Sequence, residues 1–80
     1  MVAAFVFVQI SEMTGWSDAA TIHKELHALP GVKTVHFVAG PTDIIVYLEA
    51  ADQAALIQSV GKMHAVKGVG HTDTRFVLPV

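Results

Sequence analysis

Two segments of this 80-residue chain carry apolar side chains on both of their alternating faces, and this feature limits how the chain can fold. In the first segment, Phe5 and Phe7 point to one side of an extended backbone, while Val6 and Val8 point to the other. The second segment, Ile44–Ala50, is also largely apolar on both faces. A strand with one face in water would alternate apolar and polar residues, so these segments predict a sheet that is covered on both sides.

The composition shows why one copy of the chain is not expected to cover both faces of this sheet. The chain is 52% hydrophobic and 15% charged, which excludes a disordered protein. Its longest apolar run, residues 1–8, is far shorter than the roughly 18 residues that a membrane helix needs. A domain of this size buries only about 60% of the surface that its unfolded chain exposes. The excess of apolar residues therefore predicts a soluble protein that associates with itself.

Charge and cysteine content exclude several classes of function. The formal net charge is −2 and the five basic residues are scattered, which is the opposite of a nucleic-acid-binding surface. The chain has no cysteine, so disulfides, thiolate zinc sites and cysteine nucleophiles are excluded. The amino terminus lacks the basic region of a signal peptide, so we expect a cytoplasmic location.

Hydrophobic periodicity and turn residues predict the element order β-α-β-β-α-β in a single domain that spans residues 1–80. Ser17 and Asp52 are the predicted N-caps of the two helices, and Pro30-Gly31 ends the first of them. The predicted strands are Ala3–Ile10, Lys33–Ala39, Ile44–Ala50 and His71–Leu78, and the predicted helices run from Ser17 to Leu29 and from Asp52 to near Gly68.

This order predicts an α+β fold of the ferredoxin-like kind. Right-handed crossovers place both helices on one face of a four-stranded antiparallel sheet, and the other face stays bare. The apolar residues on that bare face require a cover. We therefore expect two sheets to pack face to face in a two-fold dimer, forming a dimeric α+β barrel.

The turn Gly40-Pro41-Thr42-Asp43 is the first candidate ligand-binding segment. It places a carboxylate at the mouth of an apolar strand, beside a glycine whose backbone can approach a ligand closely. An ionised Asp43 could hold an ammonium group. The alternative is an ordinary hairpin turn in which Asp43 accepts hydrogen bonds from nearby backbone N–H groups.

Thr72 and Thr74 are the second candidate pair. Their spacing of two residues on a predicted strand turns both hydroxyls to the same face, where they could bind the carboxylate or amine of a small ligand. The alternative is that threonine is simply common in strands.

The five histidines raise the question of a metal or catalytic site. His23 and His27 have the spacing of metal ligands on a helix but lack the HExxH pattern, so a solvent-exposed helix face is the alternative. His36, His64 and His71 fall on separate elements, and the sequence does not show whether any of them converge. We predict no metal, no cofactor and no catalytic residue.

Three stretches of the chain resemble the ligand-binding domain, or RAM domain, of the Lrp/AsnC (leucine-responsive/feast-famine) transcription regulators. They are Leu29–Val32, Ala39–Val46 and Gly68–Leu78, and the resemblance covers nearly the whole chain. It implies a ferredoxin-like fold, dimers formed through the sheet, assembly of dimers into octamers or similar rings, and amino acids bound in clefts between dimers.

The resemblance also assigns roles to the candidate residues. Gly40 and Asp43 correspond to the loop that holds the α-groups of the effector, with Pro41 and Thr42 between them. Thr72 and Thr74 correspond to the strand start that completes the cleft from a neighbouring subunit. Ala39 and Thr42 depart from the family, which often has Thr or Ser before the glycine and an aromatic residue before the aspartate.

The resemblance favours a sensor module over an enzyme. Full-length regulators carry an amino-terminal helix-turn-helix, whereas this sequence begins at the first strand of the effector domain, so we expect a stand-alone module without direct nucleic-acid or membrane binding. It would bind an amino acid as a homo-oligomer and could co-assemble with full-length regulators. The alternatives are a small dimeric α+β barrel enzyme, a monooxygenase or a haem- or metal-handling protein using His36, His64 or His71, and a purely structural assembly domain.

Overall fold

The computed structural model describes residues 1–11, 16–39 and 42–78, with Trp16 and Ser17 as backbone only. Within these residues the chain forms four strands and two helices in the predicted order β-α-β-β-α-β. The elements are β1 Val2–Ile10, α1 Trp16–His27, β2 Val32–Phe37, β3 Ile44–Ala50, α2 Gln53–Met63 and β4 Val69–Phe76.

The described strands form one antiparallel sheet in the order β2-β3-β1-β4. Strand β1 is central, and its Val8 pairs with Ile44 of β3 on one side and with Thr72 of β4 on the other. Strands β2 and β4 are therefore the outer strands of the described sheet. This strand order, with two crossover helices, confirms the ferredoxin-like prediction.

Alternate residues of the central strands form the core against the helices. Ala4, Val6 and Val8 are fully buried, as are their partners Leu48, Val46 and Ile44 across the β1–β3 ladder. Because side chains alternate along a strand, all six point to the same face of the sheet. That face packs against the apolar stripes of both helices, which contribute Ile22, Leu26, Leu56 and Met63.

Of the two predicted helix N-caps, the structure confirms one and contradicts the other. Asp52 is the N-cap of α2, since its Oδ1 accepts a hydrogen bond from the backbone N–H of Ala55 at 2.9 Å. Helix α1 begins at Trp16, so Ser17 lies inside its first turn and the prediction that Ser17 is the N-cap was wrong. Asp18 in that first turn stabilises the positive end of the helix dipole.

Both helices end before the predicted residues, because each closes with a tight turn. Helix α2 ends at Met63 and not near Gly68: the backbone N–H of His64 donates to the carbonyl of Gly61 at 3.2 Å, and that of Ala65 donates to Lys62 at 3.1 Å. These bonds span three residues, as in a 3₁₀ turn. Helix α1 ends at His27, two residues before the predicted Leu29.

The first and last residues of each strand are set by the residues with which they pair in the neighbouring strand. Strand β3 has the predicted bounds, and β1 begins one residue early. Strand β2 starts at Val32 because Val32 pairs with Leu48, and it ends at Phe37 before the predicted Ala39. Strand β4 starts at Val69 because Val69 pairs with Ile10, and it ends at Phe76 before the predicted Leu78.

The connection from α1 to β2 depends on a glycine. Gly31 has a φ of 85°, which L side chains rarely adopt, and its carbonyl accepts a hydrogen bond from the backbone N–H of Glu49 at 2.9 Å. The buried hydroxyl of Ser59 donates to the carbonyl of the preceding Pro30 at 2.7 Å. Gly68, at the same place after α2, has a φ of 99°. Residues 27–32 and 64–69 share the sequence pattern His-Ala-x-x-Gly-Val, and the glycine of each lies in a left-handed turn.

Neither helix in the described part of the chain has the length and apolar character needed to cross a lipid bilayer.

Candidate functional site

Asp43 is fixed at the end of the β2–β3 hairpin by three hydrogen bonds. Its backbone N–H donates to the carbonyl of Val8 at 3.2 Å, and its carbonyl accepts from the N–H of Val38 at 2.9 Å. Its carboxylate Oδ2 accepts a hydrogen bond from the backbone N–H of Ile10 at 2.8 Å. The carboxylate thus extends the β1–β3 ladder past the last paired residues, Val8 and Ile44.

These bonds give Asp43 a structural role, but its carboxylate binds strand β1 and not the nearby N–H groups of the hairpin turn that the alternative expected. The side chain is half-buried, and within the described residues its Oδ1 has no hydrogen-bond partner. Thr42 is also half-buried. Gly40 and Pro41, which complete the predicted loop, lie outside the described residues. The described part of the loop therefore offers one carboxylate oxygen to a ligand.

Thr72 and Thr74 point to the same face of β4, as predicted. They pair with Val8 and Val6, which are buried beneath the helices, so both threonines lie on the helix-covered face of the sheet. Both side chains are half-buried. The hydroxyl of Thr72 lies 2.8 Å from Nε2 of His64, the residue that follows α2. No sequence signal links His64 to Thr72.

Within one chain, Asp43 and Thr72 do not form a common pocket. Both lie at the same end of the sheet, next to Val8, but on opposite sides of strand β1. Two strand spacings, about 10 Å, separate the backbones of their strands.

The histidines do not converge on a catalytic or metal centre in the described residues. His36 and His71 lie on β2 and β4, the two outer strands, and His64 lies beyond α2. His23 has its Nε2 3.1 Å from the carbonyl of Val35, and its ring stacks on that of His27 with centroids 6.0 Å apart. Within residues 1–11, 16–39 and 42–78, no group of three or more His, Cys, Asp or Glu side chains could hold a metal ion.

The bare face of the sheet is an apolar surface outside the core. Its centre consists of two cross-strand pairs, Phe5 with Tyr47 and Phe7 with Ile45. The rings of Phe5 and Tyr47 have centroids 5.0 Å apart, and Phe5 is 43% exposed. We call these four residues the bare-face cluster. Because helices pack on the opposite face, the cluster confirms that apolar residues occupy both faces of the central strands.

Polar groups surround the bare-face cluster. The guanidinium of Arg75 lies over the ring of Phe7, 4.7 Å from its centroid, and pairs with Asp73 at 3.1 Å. On the other side, the hydroxyl of Tyr47 donates to Oε2 of Glu49 at 2.8 Å. An apolar centre with a charged rim is the usual composition of a protein–protein interface.

Tyr47 offers a spectroscopic test of this arrangement, since it is the chain's single tyrosine. The hydrogen bond to Glu49 raises the pKa of the Tyr47 phenol above its ordinary value, with further contributions from partial burial and from the negative charge of Glu49. We expect Glu49→Gln to lower the pKa of Tyr47, because the substitution removes the charged acceptor. Ultraviolet absorbance of the tyrosinate across alkaline pH measures this change, and an unchanged titration midpoint would contradict the described contact.

The residues and fold match a known family. The family model of the Lrp/AsnC ligand binding domain matches residues 3–79, so this chain belongs to the Lrp/AsnC ligand-binding domain family. The match confirms the resemblance found in the sequence.

Two curated proteins share parts of the chain. Homocitrate synthase of Sulfurisphaera tokodaii is 42% identical over 57 residues, which are 71% of this chain and 12% of that protein. An uncharacterized HTH-type transcriptional regulator of Pyrococcus furiosus is 33% identical over 72 residues, which are 89% of this chain and 47% of that protein. The chain thus spans less than half the length of either relative.

A solved structure has the same fold. The transcriptional regulator of Neisseria meningitidis, solved as a complex with L-Met, matches with a TM-score of 0.82 and 22% identity. The match covers 96% of this chain and 49% of the Neisseria chain. At this identity the similarity establishes the fold shared by the two proteins.

Proposed function

We propose that the chain is an effector-binding module that forms a dimer through its bare sheet face and binds an amino acid at the end of the β2–β3 hairpin. Membership of the Lrp/AsnC ligand-binding domain family supports the binding function. The bare-face cluster supports the dimer, because exposed Phe and Tyr side chains at the centre of a sheet are typical of a surface that a partner covers.

The single observation that carries the ligand site is the anchored carboxylate of Asp43. Its Oδ2 is held by the N–H of Ile10, so the group is oriented before any ligand arrives, while Oδ1 has no partner among the described residues. A fixed carboxylate loses little conformational entropy when it binds an ammonium group. The L-Met complex of the Neisseria regulator supports an amino acid as the ligand class.

In the proposed ligand site, a neighbouring subunit contributes Thr72 and Thr74. They lie about two strand spacings from Asp43 within one chain, and in the proposed assembly a second copy supplies them. In the proposed assembly of dimers, the Thr72 and Thr74 hydroxyls of one subunit complete the cleft at the Gly40–Asp43 loop of another. His64 orients the Thr72 hydroxyl through their hydrogen bond.

The test of the ligand site is the substitution Asp43→Asn. The asparagine side-chain oxygen can still accept the hydrogen bond from Ile10, but the charge that would hold an ammonium group is gone. We expect the variant to keep its melting temperature without ligand and to lose the amino-acid-dependent increase. A charged hydrogen bond contributes about 1.5–3 kcal/mol, so affinity should fall roughly 10-fold or more. A thermal-shift screen against the twenty amino acids measures both properties.

Asp43→Ala is the comparison variant. It removes the Ile10 contact together with the charge, so it should lower the melting temperature without ligand as well as the ligand response. An amino-acid response that is unchanged in Asp43→Asn would contradict the site. If no amino acid raises the melting temperature of the unsubstituted protein, only the role in assembly remains, and the purely structural alternative is favoured.

We propose that the module acts in regulation in the cytoplasm. The match to a helix-turn-helix regulator supports co-assembly with full-length regulators. The match to a short part of homocitrate synthase favours a second candidate role, in which the same kind of domain serves an enzyme. Co-purification and light scattering with each class of partner distinguish the two roles, and the family match favours binding over catalysis by this chain itself.

A further inference from the structure

Strand β4 turns backbone groups away from its only neighbour in the described sheet. In an antiparallel ladder, residue pairs that exchange both N–H···O bonds alternate with pairs that exchange none. The N–H of Val77 donates to the carbonyl of Ala3 at 2.9 Å, and the register between β1 and β4 is constant from there to the pair of Gln9 and His71. The even-numbered residues of this stretch therefore point their N–H and C=O groups outward. We call the outward groups of Thr72, Thr74 and Phe76 the β4 edge.

The two outer strands of the described sheet differ in how they are covered. On β2, the carbonyl of Val35 lies 3.1 Å from Nε2 of His23, a side chain of helix α1. On β4, no hydrogen bond from another described residue reaches the outward backbone groups of Thr74 and Phe76. The eight residues of β4 include no lysine and no proline, the residues that commonly block such edges. The β4 edge is therefore open to a further strand.

The charges of β4 favour a second copy of the same strand as that partner. Asp73 and Arg75 lie on either side of Thr74, and they pair with each other along the strand at 3.1 Å. When two antiparallel copies of β4 meet about a two-fold axis at Thr74, Asp73 of each copy lies opposite Arg75 of the other. Opposite charges at directly paired positions stabilise a sheet, and the four alternating charges form a network.

Other registers of the two copies are less favourable. The outward groups meet only when even-numbered residues pair with even-numbered residues, so the axis must pass beside a residue and not between two. An axis at Asp73 would bring two carboxylates together, and an axis at Arg75 would bring two guanidinium groups together. An axis at Thr74 avoids both contacts. It also pairs Thr72 of each copy with Phe76 of the other, which gives roughly six backbone hydrogen bonds in total.

We propose that the β4 edge joins two bare-face dimers into an assembly of four chains or more, in which two copies of β4 pair antiparallel about Thr74. This inference rests on the bare-face dimer under Proposed function. A single pair of strands is marginally stable in water, so the β4 edge does not dimerise separate chains. A two-fold dimer carries two such edges, and two dimers that meet through both gain the second pairing as an intramolecular step.

The edge pairing is compatible with the proposed ligand site. It uses the backbone groups of Thr72 and Thr74, whereas the ligand site uses their hydroxyls. Those side chains stay on the helix-covered face of the sheet, perpendicular to the new backbone hydrogen bonds.

Two charge-reversal variants and their mixture test the pairing. Asp73→Arg brings guanidinium groups opposite each other across the proposed axis, and Arg75→Asp brings carboxylates opposite each other. Each variant alone should therefore lose the larger assembly and remain a dimer. An equimolar mixture should regain the larger assembly, because strands of the two variants pair opposite charges. Residues 73 and 75 carry like charges within each variant chain, so an intrachain ion pair cannot explain the recovery. Sedimentation velocity and light scattering measure the mass.

A backbone variant and a control complete the test. The N–H of Thr74 points outward, so Thr74→Pro keeps the ladder with β1 but removes the central bonds between the two copies. This variant should be a dimer, with circular dichroism as the check that it is folded. Lys62→Asp is the matched control for Arg75→Asp, because it makes the same charge change on the exposed side of α2. It should leave the assembly unchanged.

The outcomes separate the β4 edge from the bare-face dimer. An unsubstituted chain that sediments as a dimer, or folded charge variants that keep the larger assembly, would overturn the edge pairing and leave the bare-face dimer in place. Charge variants that become monomers would place Asp73 and Arg75 in the bare-face interface and overturn the edge assignment. A mixture that stays dimeric would overturn the register about Thr74. An unsubstituted chain that is a monomer at micromolar concentration would contradict both interfaces.

Discussion

Replacing Phe5 with glutamate is expected to convert the proposed dimer into a monomer at micromolar concentration. Phe5 is 43% exposed at the centre of the bare face, and it contacts Tyr47. Burying the exposed 43% of this phenylalanine contributes about 0.6–1.3 kcal/mol. A two-fold interface contains the residue twice, so the loss is about 1.2–2.6 kcal/mol, and the buried charge adds to it. The dimer dissociation constant should rise roughly 10-fold or more. Sedimentation velocity over a range of concentrations measures it.

Ile57→Glu is the matched control for this substitution. Ile57 is even more exposed, at 55%, but it lies on helix α2, on the other side of the sheet from the bare-face cluster. It should leave the oligomeric state unchanged. Circular dichroism of both variants checks that the fold persists. A Phe5→Glu variant that is folded and still dimeric would show that another surface forms the dimer.

Gly31→Ala is expected to destabilise the fold more than any other single-methyl addition considered for this chain. Gly31 has a φ of 85°, and an added Cβ would collide with the backbone carbonyl oxygen of Glu49 on strand β3. The Gly31 carbonyl also accepts a hydrogen bond from the N–H of Glu49, so the two segments cannot separate without losing that bond. The free energy of unfolding should fall by about 3 kcal/mol or more. The melting temperature should then drop by roughly 12–24 °C.

Gly61→Ala provides the contrast. Gly61 lies on the exposed side of helix α2, and no atom lies within 4 Å of the position a Cβ would occupy. Alanine is the better helix former by about 0.8–1 kcal/mol, so this variant should be more stable than the unsubstituted chain. Urea unfolding of the two variants compares them directly. Equal stability of Gly31→Ala and the parent would show that the turn can rearrange at little cost.

The sequence was sufficient for the fold because local patterns and topology agree. The two-sided apolar pattern of β1 and β3 identified the central strands, and Asp52 was correctly identified as a helix N-cap. Helix ends were less predictable, since the closing turns after His27 and Met63 depend on hydrogen bonds that no composition signal marks. The predicted starts of β2 and β4 were wrong for a related reason. Val32 and Val69 join the sheet because their ladder partners, Leu48 and Ile10, are present.

The candidate site was less predictable than the fold. The sequence identified Asp43 but could not show that its carboxylate binds the backbone of Ile10, 33 positions away along the chain. The contact between His64 and Thr72 likewise depends on how a helix end meets an outer strand.

The hydrogen bond from Ile10 to Asp43 has a consequence for regulation. Ile10 belongs to the same strand as Phe5 and Phe7, so one continuous backbone connects the proposed effector carboxylate to the proposed dimer surface. A ligand that shifts Asp43 would therefore also displace strand β1, whose Phe5 and Phe7 form part of the proposed interface. Thermodynamic linkage then requires reciprocity: if effector binding changes the dimerisation constant, dimerisation changes effector affinity by the same factor. Titrating the effector above and below the dimer dissociation constant would reveal that factor.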